Sequence, residues 1–182
     1  MSRIGKMPIA VPAGVTVEFK DKVLTVKGPK GSLTREIVGN IDVAVEGNEL
    51  HVKALDNQAD TNAKHGLYRA LAAGMVKGVT DGFEQVLEVK GVGWKVQVQG
   101  KKLVMNVGFS HPVEMEAPEG ITFTCPTLTE ISVSGISKEL VGQTAANIRK
   151  VREPEPYHGY GIRYKGEHVE HKEGKTSGKS KK

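Results

Sequence analysis

The residues best suited to chemistry in this chain are three tyrosines clustered near its C-terminus. Tyr157, Tyr160 and Tyr164 fall within eight residues, although the whole chain has only four tyrosines. Glycines and the cations Arg163 and Lys165 are interleaved with them. Flat rings stack on bases, small residues allow close approach, and cations neutralise phosphates, so the pattern favours contact with RNA. The alternative is that the rings only pack this segment against the rest of the protein.

The charge of the chain is concentrated in the same region. Residues 150–182 contain nine Lys/Arg and five Asp/Glu, and therefore carry +4 of the formal net charge of +5. The first 149 residues carry only +1. A nearly neutral body with a basic end indicates docking to a polyanion at that end. A solvated tail that only aids solubility is the alternative.

Residues 137–152 show the spacing of an amphipathic helix, with Val141, Ala145 and Ile148 forming an inward stripe. Small residues on another face stand beside amides and cations and would let a phosphate backbone lie close to the helix. An ordinary polar helix face is the alternative. The residues of this second face are Gly142, Gln143, Ala146, Asn147, Arg149 and Lys150.

The elements that must position these groups follow one plan twice. Each half has strands with period-two alternation, followed by one helix. The helix of the second half covers residues 137–152, and that of the first half covers residues 57–79, with Asp56 as its N-cap. The apolar stripe predicted for the first helix is Ala63, Leu67, Leu71 and Met75. Weak similarity at an offset of roughly 76–79 residues indicates an internal duplication. We expect an α+β fold of two similar domains, each a mostly antiparallel sheet packed with one helix. The expected boundaries are 1–81 and 82–152, followed by a basic, tyrosine-rich extension over 153–182.

Several chemical classes lack a supporting motif. The one cysteine, Cys125, excludes an intrachain disulfide and a cysteine-cluster metal site. Gly91 and Gly93 lack the third glycine of a dinucleotide fingerprint, and the residues around Gly174 and Lys175 lack the strand and first glycine of a phosphate-binding loop. No nucleophile motif is recognisable. The residues thus give no positive reason to propose catalysis, and we expect no enzyme activity, no cofactor and no metal.

Five motifs resemble one known family, in that family's order. They are SRIGKMPIAVPAGV at the N-terminus, the central GVGW and GFSHPV, VGQTAANIRKVR, and the segment PEPYHGYGIRY. Together they are similar to the L-six family of large-subunit ribosomal proteins, whose last motif is usually Pro-(Asp/Glu)-Pro-Tyr-Lys-Gly-Lys-Gly-Ile-Arg-Tyr. The sequence departs from this pattern at His158 and Tyr160, where lysines are usual, so two positive charges are missing from this motif.

The resemblance implies a non-catalytic protein of the bacterial large ribosomal subunit, located in the cytoplasm, that supports subunit structure and translation. Its expected partners are 23S rRNA, neighbouring large-subunit proteins near the stalk base, and translation factors that dock nearby, with no DNA or membrane partner. A peripheral membrane protein held by its basic tail is the competing hypothesis, but it leaves the tyrosines unexplained. The candidate rRNA-binding residues are Lys138, Gln143, Arg149, Lys150, Arg152, Tyr157, His158, Gly159, Tyr160, Gly161, Arg163, Tyr164, Lys165, Lys172 and Lys175, with Arg3, Lys6, Ser110 and His111 as weaker candidates.

Overall fold

A computed structural model describes residues 2–175 of the chain. Within this range the chain forms two compact units. The first comprises residues 2–83 together with 135–138, and the second comprises residues 84–134 together with 139–175. Each unit contains antiparallel sheets and one helix, as expected from the sequence.

The first unit contains two three-stranded sheets, ordered β2-β3-β4 and β1-β6-β5. Its hairpins turn at residues 21–22, 29–30 and 47–48. Alternation buries Leu24 and Val26 from β3, and Leu50 and Val52 from β6. The elements are β1 (Ile9–Ala10), β2 (Thr16–Lys20), β3 (Val23–Gly28), β4 (Gly31–Glu36), β5 (Ile41–Glu46), β6 (Glu49–Ala54) and α1 (Ala59–Thr80).

The predicted inward stripe of the first helix is only partly confirmed: Met75 is buried and Leu71 packs against the core, but Ala63 and Leu67 are exposed. Leu67 is 53% exposed, whereas Tyr68 and His65 are buried. The Tyr68 hydroxyl accepts a hydrogen bond from the Val38 backbone N–H, so the helix is oriented by polar anchors that an apolar stripe does not reveal. The predicted N-cap is also wrong, because α1 has Gln58 at its N-cap and no side-chain cap. The carboxylate of Asp56 instead accepts hydrogen bonds from Gln58 and Asn40 in the preceding loop.

The second unit has a three-stranded sheet ordered β10-β9-β8 and a four-stranded sheet ordered β11-β12-β7-β13. The predicted inward stripe of its helix is confirmed, since Val141, Ala145 and Ile148 are all buried. Cys125 is partly buried, and this burial raises the pKa of its thiol. The elements are β7 (Phe83–Lys90), β8 (Lys95–Gln99), β9 (Lys102–Asn106), β10 (Val113–Glu116), β11 (Ile121–Thr127), β12 (Glu130–Gly135), α2 (Lys138–Val151) and β13 (Gly161–Tyr164).

The C-terminal segment supplies a strand to the second unit. β13 pairs antiparallel with β7, and Ile162 is fully buried. The Ile162 backbone N–H donates to the Arg152 carbonyl oxygen at 2.8 Å, which joins the strand to the end of α2. Gly161 has φ +153°, and a Cβ there would collide with the backbone of Pro154, so only glycine fits where the chain enters this strand. The candidate residues from Gly161 to Lys165 therefore lie on or beside a sheet.

Candidate RNA-binding surface

The outer face of α2, defined here as Gly142, Gln143, Ala146, Asn147 and Lys150, is exposed along its whole length. Residues four apart share a helix face, so these residues form one surface that is separate from the buried stripe of Val141, Ala145 and Ile148. The Gln143 amide donates to the Asn147 side-chain oxygen at 2.9 Å, which orders the two amides. Lys150 makes no ion pair with the described residues, so its charge is available to an external anion.

The predicted cation Arg163 is engaged within the protein. On β13 it stands opposite Glu88 of β7, and its Nε and Nη2 donate to one Glu88 carboxylate oxygen at 3.1 and 2.8 Å. Lys165 likewise approaches Glu130, with Nζ and Oε1 3.3 Å apart, but its side chain is 58% exposed. The Arg163 charge is therefore largely balanced by its own sheet, whereas Lys165 still reaches solvent.

Arg149 is held in a similar way. Its Nη2 donates to Glu167 Oε1 at 2.6 Å and its Nε donates to Glu167 Oε2 at 3.2 Å, a two-point contact. Hydrogen bonding to Glu167 raises the pKa of Arg149, and the same bond lowers the pKa of Glu167. The Arg149 guanidinium also lies 5.8 Å from the ring centroid of Tyr164. This cluster fastens α2 to the turn that follows β13.

A closed turn over residues 155–160 presents the remaining aromatic candidates. Burial would raise the pKa of Glu155, but hydrogen bonds from the backbone amides of His158 and Tyr157 outweigh it and hold the pKa below its usual value. Tyr157 is 55% exposed, and the rings of His158 and Tyr160 stack with centroids 5.4 Å apart. Gly159 is buried inside the turn. The turn therefore displays rings on its outside and is rigid within.

Trp94 and Phe109 are aromatic neighbours that the sequence reasoning did not select. The Arg152 guanidinium lies 5.8 Å from the Trp94 ring centroid and 5.2 Å from that of Phe109. The rings of Trp94 and Tyr160 are 6.4 Å apart and inclined at 55°. Gly91 and Gly93, which precede Trp94 in the chain, are the signal that marks it, since Gly91 packs directly against its ring.

The other candidates lie at the edges of these groups. Lys172 and Lys175 are exposed, and the Lys172 backbone N–H donates to the Pro156 carbonyl oxygen at 2.8 Å. The segment after β13 thus returns to the 155–160 turn. Ser110 and His111 are exposed beside Phe109. The remaining candidates, Lys138, Arg3 and Lys6, are also exposed, and the Lys138 Nζ lies 6.0 Å from the Phe83 ring centroid.

The described residues contain no group of three or more His, Cys, Asp or Glu side chains able to hold a metal ion. In the same part of the chain, neither helix combines the length and the apolar composition that a membrane crossing requires.

Comparison with known proteins gives one consistent result. The family described as Ribosomal protein L6 matches residues 11–82 and again 90–165, which agrees with two similar domains. The large ribosomal subunit protein uL6 of Syntrophomonas wolfei is 56% identical over 179 residues, covering 98% of this chain and all of that protein. The proteins of the same name from Streptococcus sanguinis and Clostridium kluyveri are 57% and 54% identical, covering 97% and 98% of this chain and 99% and 100% of theirs.

Proposed function

The chain belongs to the ribosomal protein L6 family, and on that premise we propose that it is a structural, non-catalytic constituent of the large ribosomal subunit. In this proposal it binds 23S rRNA chiefly through its second unit and C-terminal segment. The observation that carries the RNA-binding part is the outer face of α2, where small residues and ordered amides lead to Lys150, which has no ion-pair partner among residues 2–175. A phosphate backbone can approach such a face closely, and each neutralised phosphate releases counterions.

The candidate residues divide into two roles. The exposed groups contact RNA: cations bind phosphates, and rings stack on bases or sugars. The engaged groups hold the surface in place, because a salt-bridged pair has little net charge to offer a phosphate. Contact residues are Lys138, Gln143, Lys150, Arg152, Tyr157, His158, Tyr160, Lys165, Lys172 and Lys175, with Ser110, His111, Arg3 and Lys6 at the periphery; positioning residues are Arg149, Gly159, Gly161, Arg163 and Tyr164.

The proposed location is near the stalk base, beside neighbouring large-subunit proteins and the region where translation factors dock. This placement rests on the resemblance to the family. The relatives named as large ribosomal subunit proteins support assignment to that subunit. On this proposal the protein braces rRNA segments, holding them at a separation fixed by its folded units.

The test is the salt dependence of binding to 23S rRNA. Replacing Lys150 and Arg152 together with Gln is expected to reduce the slope of log K against log salt by about 0.7–0.9 for each phosphate that the variant no longer neutralises. Lys20→Gln, which removes one charge from the first unit, is the control and is expected to leave the slope nearly unchanged. Equal slopes for the double variant and the wild type would contradict the proposed surface.

A further inference from the structure

A pocket beside α2 combines aromatic walls with carboxylates. We call it the aromatic pocket. It has a volume of about 500 Å³ and is lined by Trp94, Arg152, Glu153, Glu155 and Tyr160. This volume lies within the range of roughly 300–1,000 Å³ typical of small-ligand sites. Within the turn that forms one side, the Glu155 N–H donates to the Tyr160 carbonyl oxygen at 3.0 Å. This hydrogen bond closes the turn that carries Glu155 and Tyr160.

The aromatic groups of the pocket suit a flat, electron-rich ligand. The Trp94 and Tyr160 rings are 6.4 Å apart and tilted at 55°, so they are not stacked on each other, and both line the pocket. Arg152 closes one side, and its guanidinium rests on the rings of Trp94 and Phe109. A cation inside the pocket wall disfavours a cationic ligand such as a methylated lysine, which otherwise prefers aromatic cages. A nucleobase fits both the rings and the guanidinium.

The carboxylates decide which base fits best. Glu155 is occupied, because its oxygens accept hydrogen bonds from the backbone N–H groups of Tyr157 and His158. The Glu153 carboxylate is exposed and accepts no hydrogen bond from the described residues. The Glu153 charge interacts electrostatically with Arg149, but a carboxylate without a hydrogen-bond partner repels phosphate and accepts strongly from N–H donors. Guanine alone among the standard bases presents two adjacent donors, N1–H and N2–H, which match the two oxygens of one carboxylate.

We propose that the aromatic pocket binds a single unstacked guanine base of RNA, with its ring against Trp94 and Tyr160 and its Watson–Crick edge hydrogen-bonded to Glu153. This inference rests on the proposed function, since it specifies how the RNA-binding surface recognises one nucleotide. Arg152 then faces the phosphate or sugar attached to that base. The pocket gives the surface a sequence preference that phosphate contacts alone do not supply.

Trp94 is the only tryptophan of the chain, so its fluorescence reports directly on the pocket. The experiment titrates the full chain with five-residue oligoribonucleotides of uridine that carry guanosine, inosine, adenosine, cytidine or uridine at the centre. Guanosine is expected to bind about tenfold or more tightly than inosine, which lacks the 2-amino donor. Glu153→Gln is expected to abolish this difference, whereas Glu119→Gln, which removes the same charge from an exposed turn, is expected to preserve it.

Equal affinity for guanosine and inosine, or an undiminished preference in Glu153→Gln, would overturn the inference. Tighter binding of a trimethyl-lysine peptide than of the guanosine oligonucleotide would also overturn it. If these results occur while 23S rRNA binding still depends on Lys150, only the base-specific pocket fails. Failure of the wild-type protein to bind 23S rRNA at all would instead reject the proposed function.

Discussion

Breaking the ion pair between Glu88 and Arg163 is expected to destabilise the second unit. The expected coupling energy between the two side chains is about 1–2 kcal/mol. The two side chains stand opposite each other on β7 and β13, are joined by two hydrogen bonds, and are 27% and 29% exposed. Exposed ion pairs contribute about 0.2–1 kcal/mol, whereas hydrogen bonds to charged groups contribute about 1.5–3 kcal/mol. Partial burial places this pair between the two ranges.

A double-mutant cycle with Glu88→Gln and Arg163→Gln measures this coupling. Urea unfolding followed by Trp94 fluorescence reports the second unit, which contains that residue. The pair Lys102–Glu116 is the matched control, because its atoms are 3.1 Å apart but its side chains are 50% and 74% exposed. Its coupling is expected to be smaller, because solvent screens exposed ion pairs. A Glu88–Arg163 coupling no larger than that of the control would refute the positioning role of Arg163.

Three further perturbations test other parts of the structure. Gly5→Ala would place a methyl group 2.5 Å from the buried His65 ring. Because this clash should displace the N-terminal segment, trypsin is expected to cleave that segment faster than in the wild type. Gly74→Ala, whose added methyl group would have no neighbour within 4 Å, is the control and should leave the cleavage rate unchanged. Ile162→Ala should lower the free energy of unfolding by about 2–5 kcal/mol in urea titration, and a decrease below about 1 kcal/mol would show that β13 is not packed as described. The pKa of Glu167 is lowered in the folded protein, so the stabilisation that its carboxylate gives to the fold is complete above the ordinary pKa of 4.5. This stabilisation is lost as the pH falls through the lowered pKa. The stability difference between wild type and Glu167→Gln should therefore shrink on acidification, and a difference that grows would contradict this.

Local patterns in the sequence predicted much of the architecture. Alternation and turn residues located most strands, and helical spacing identified the buried stripe of α2, because its apolar residues are confined to one face. The stripe of α1 was only partly right, because apolar residues occur on several faces of that helix and the buried face includes His65 and Tyr68 beside Met75. Two strands have only weak sequence patterns, since β1 has two residues and exposed polar side chains weaken the alternation of β4.

The candidate surface depended more on distant pairing than its composition suggested. Composition marked Arg163 as a free cation, but its partner Glu88 lies 75 residues away in the chain and is brought opposite only by strand pairing. The same holds for Trp94 and Arg152, which meet although Trp94 lies in the loop before β8 and Arg152 follows the end of α2. Their juxtaposition depends on how α2 packs in the second unit, which no local pattern encodes.

Ultraviolet cross-linking of the protein to 23S rRNA, with the linked residues mapped by mass spectrometry, tests the central claim most directly. Cross-links on α2 between Gln143 and Lys150 and on the turn from Tyr157 to Tyr160 are the predicted result. Cross-links confined to the first unit, with the outer face of α2 unmodified in the bound protein, would contradict it.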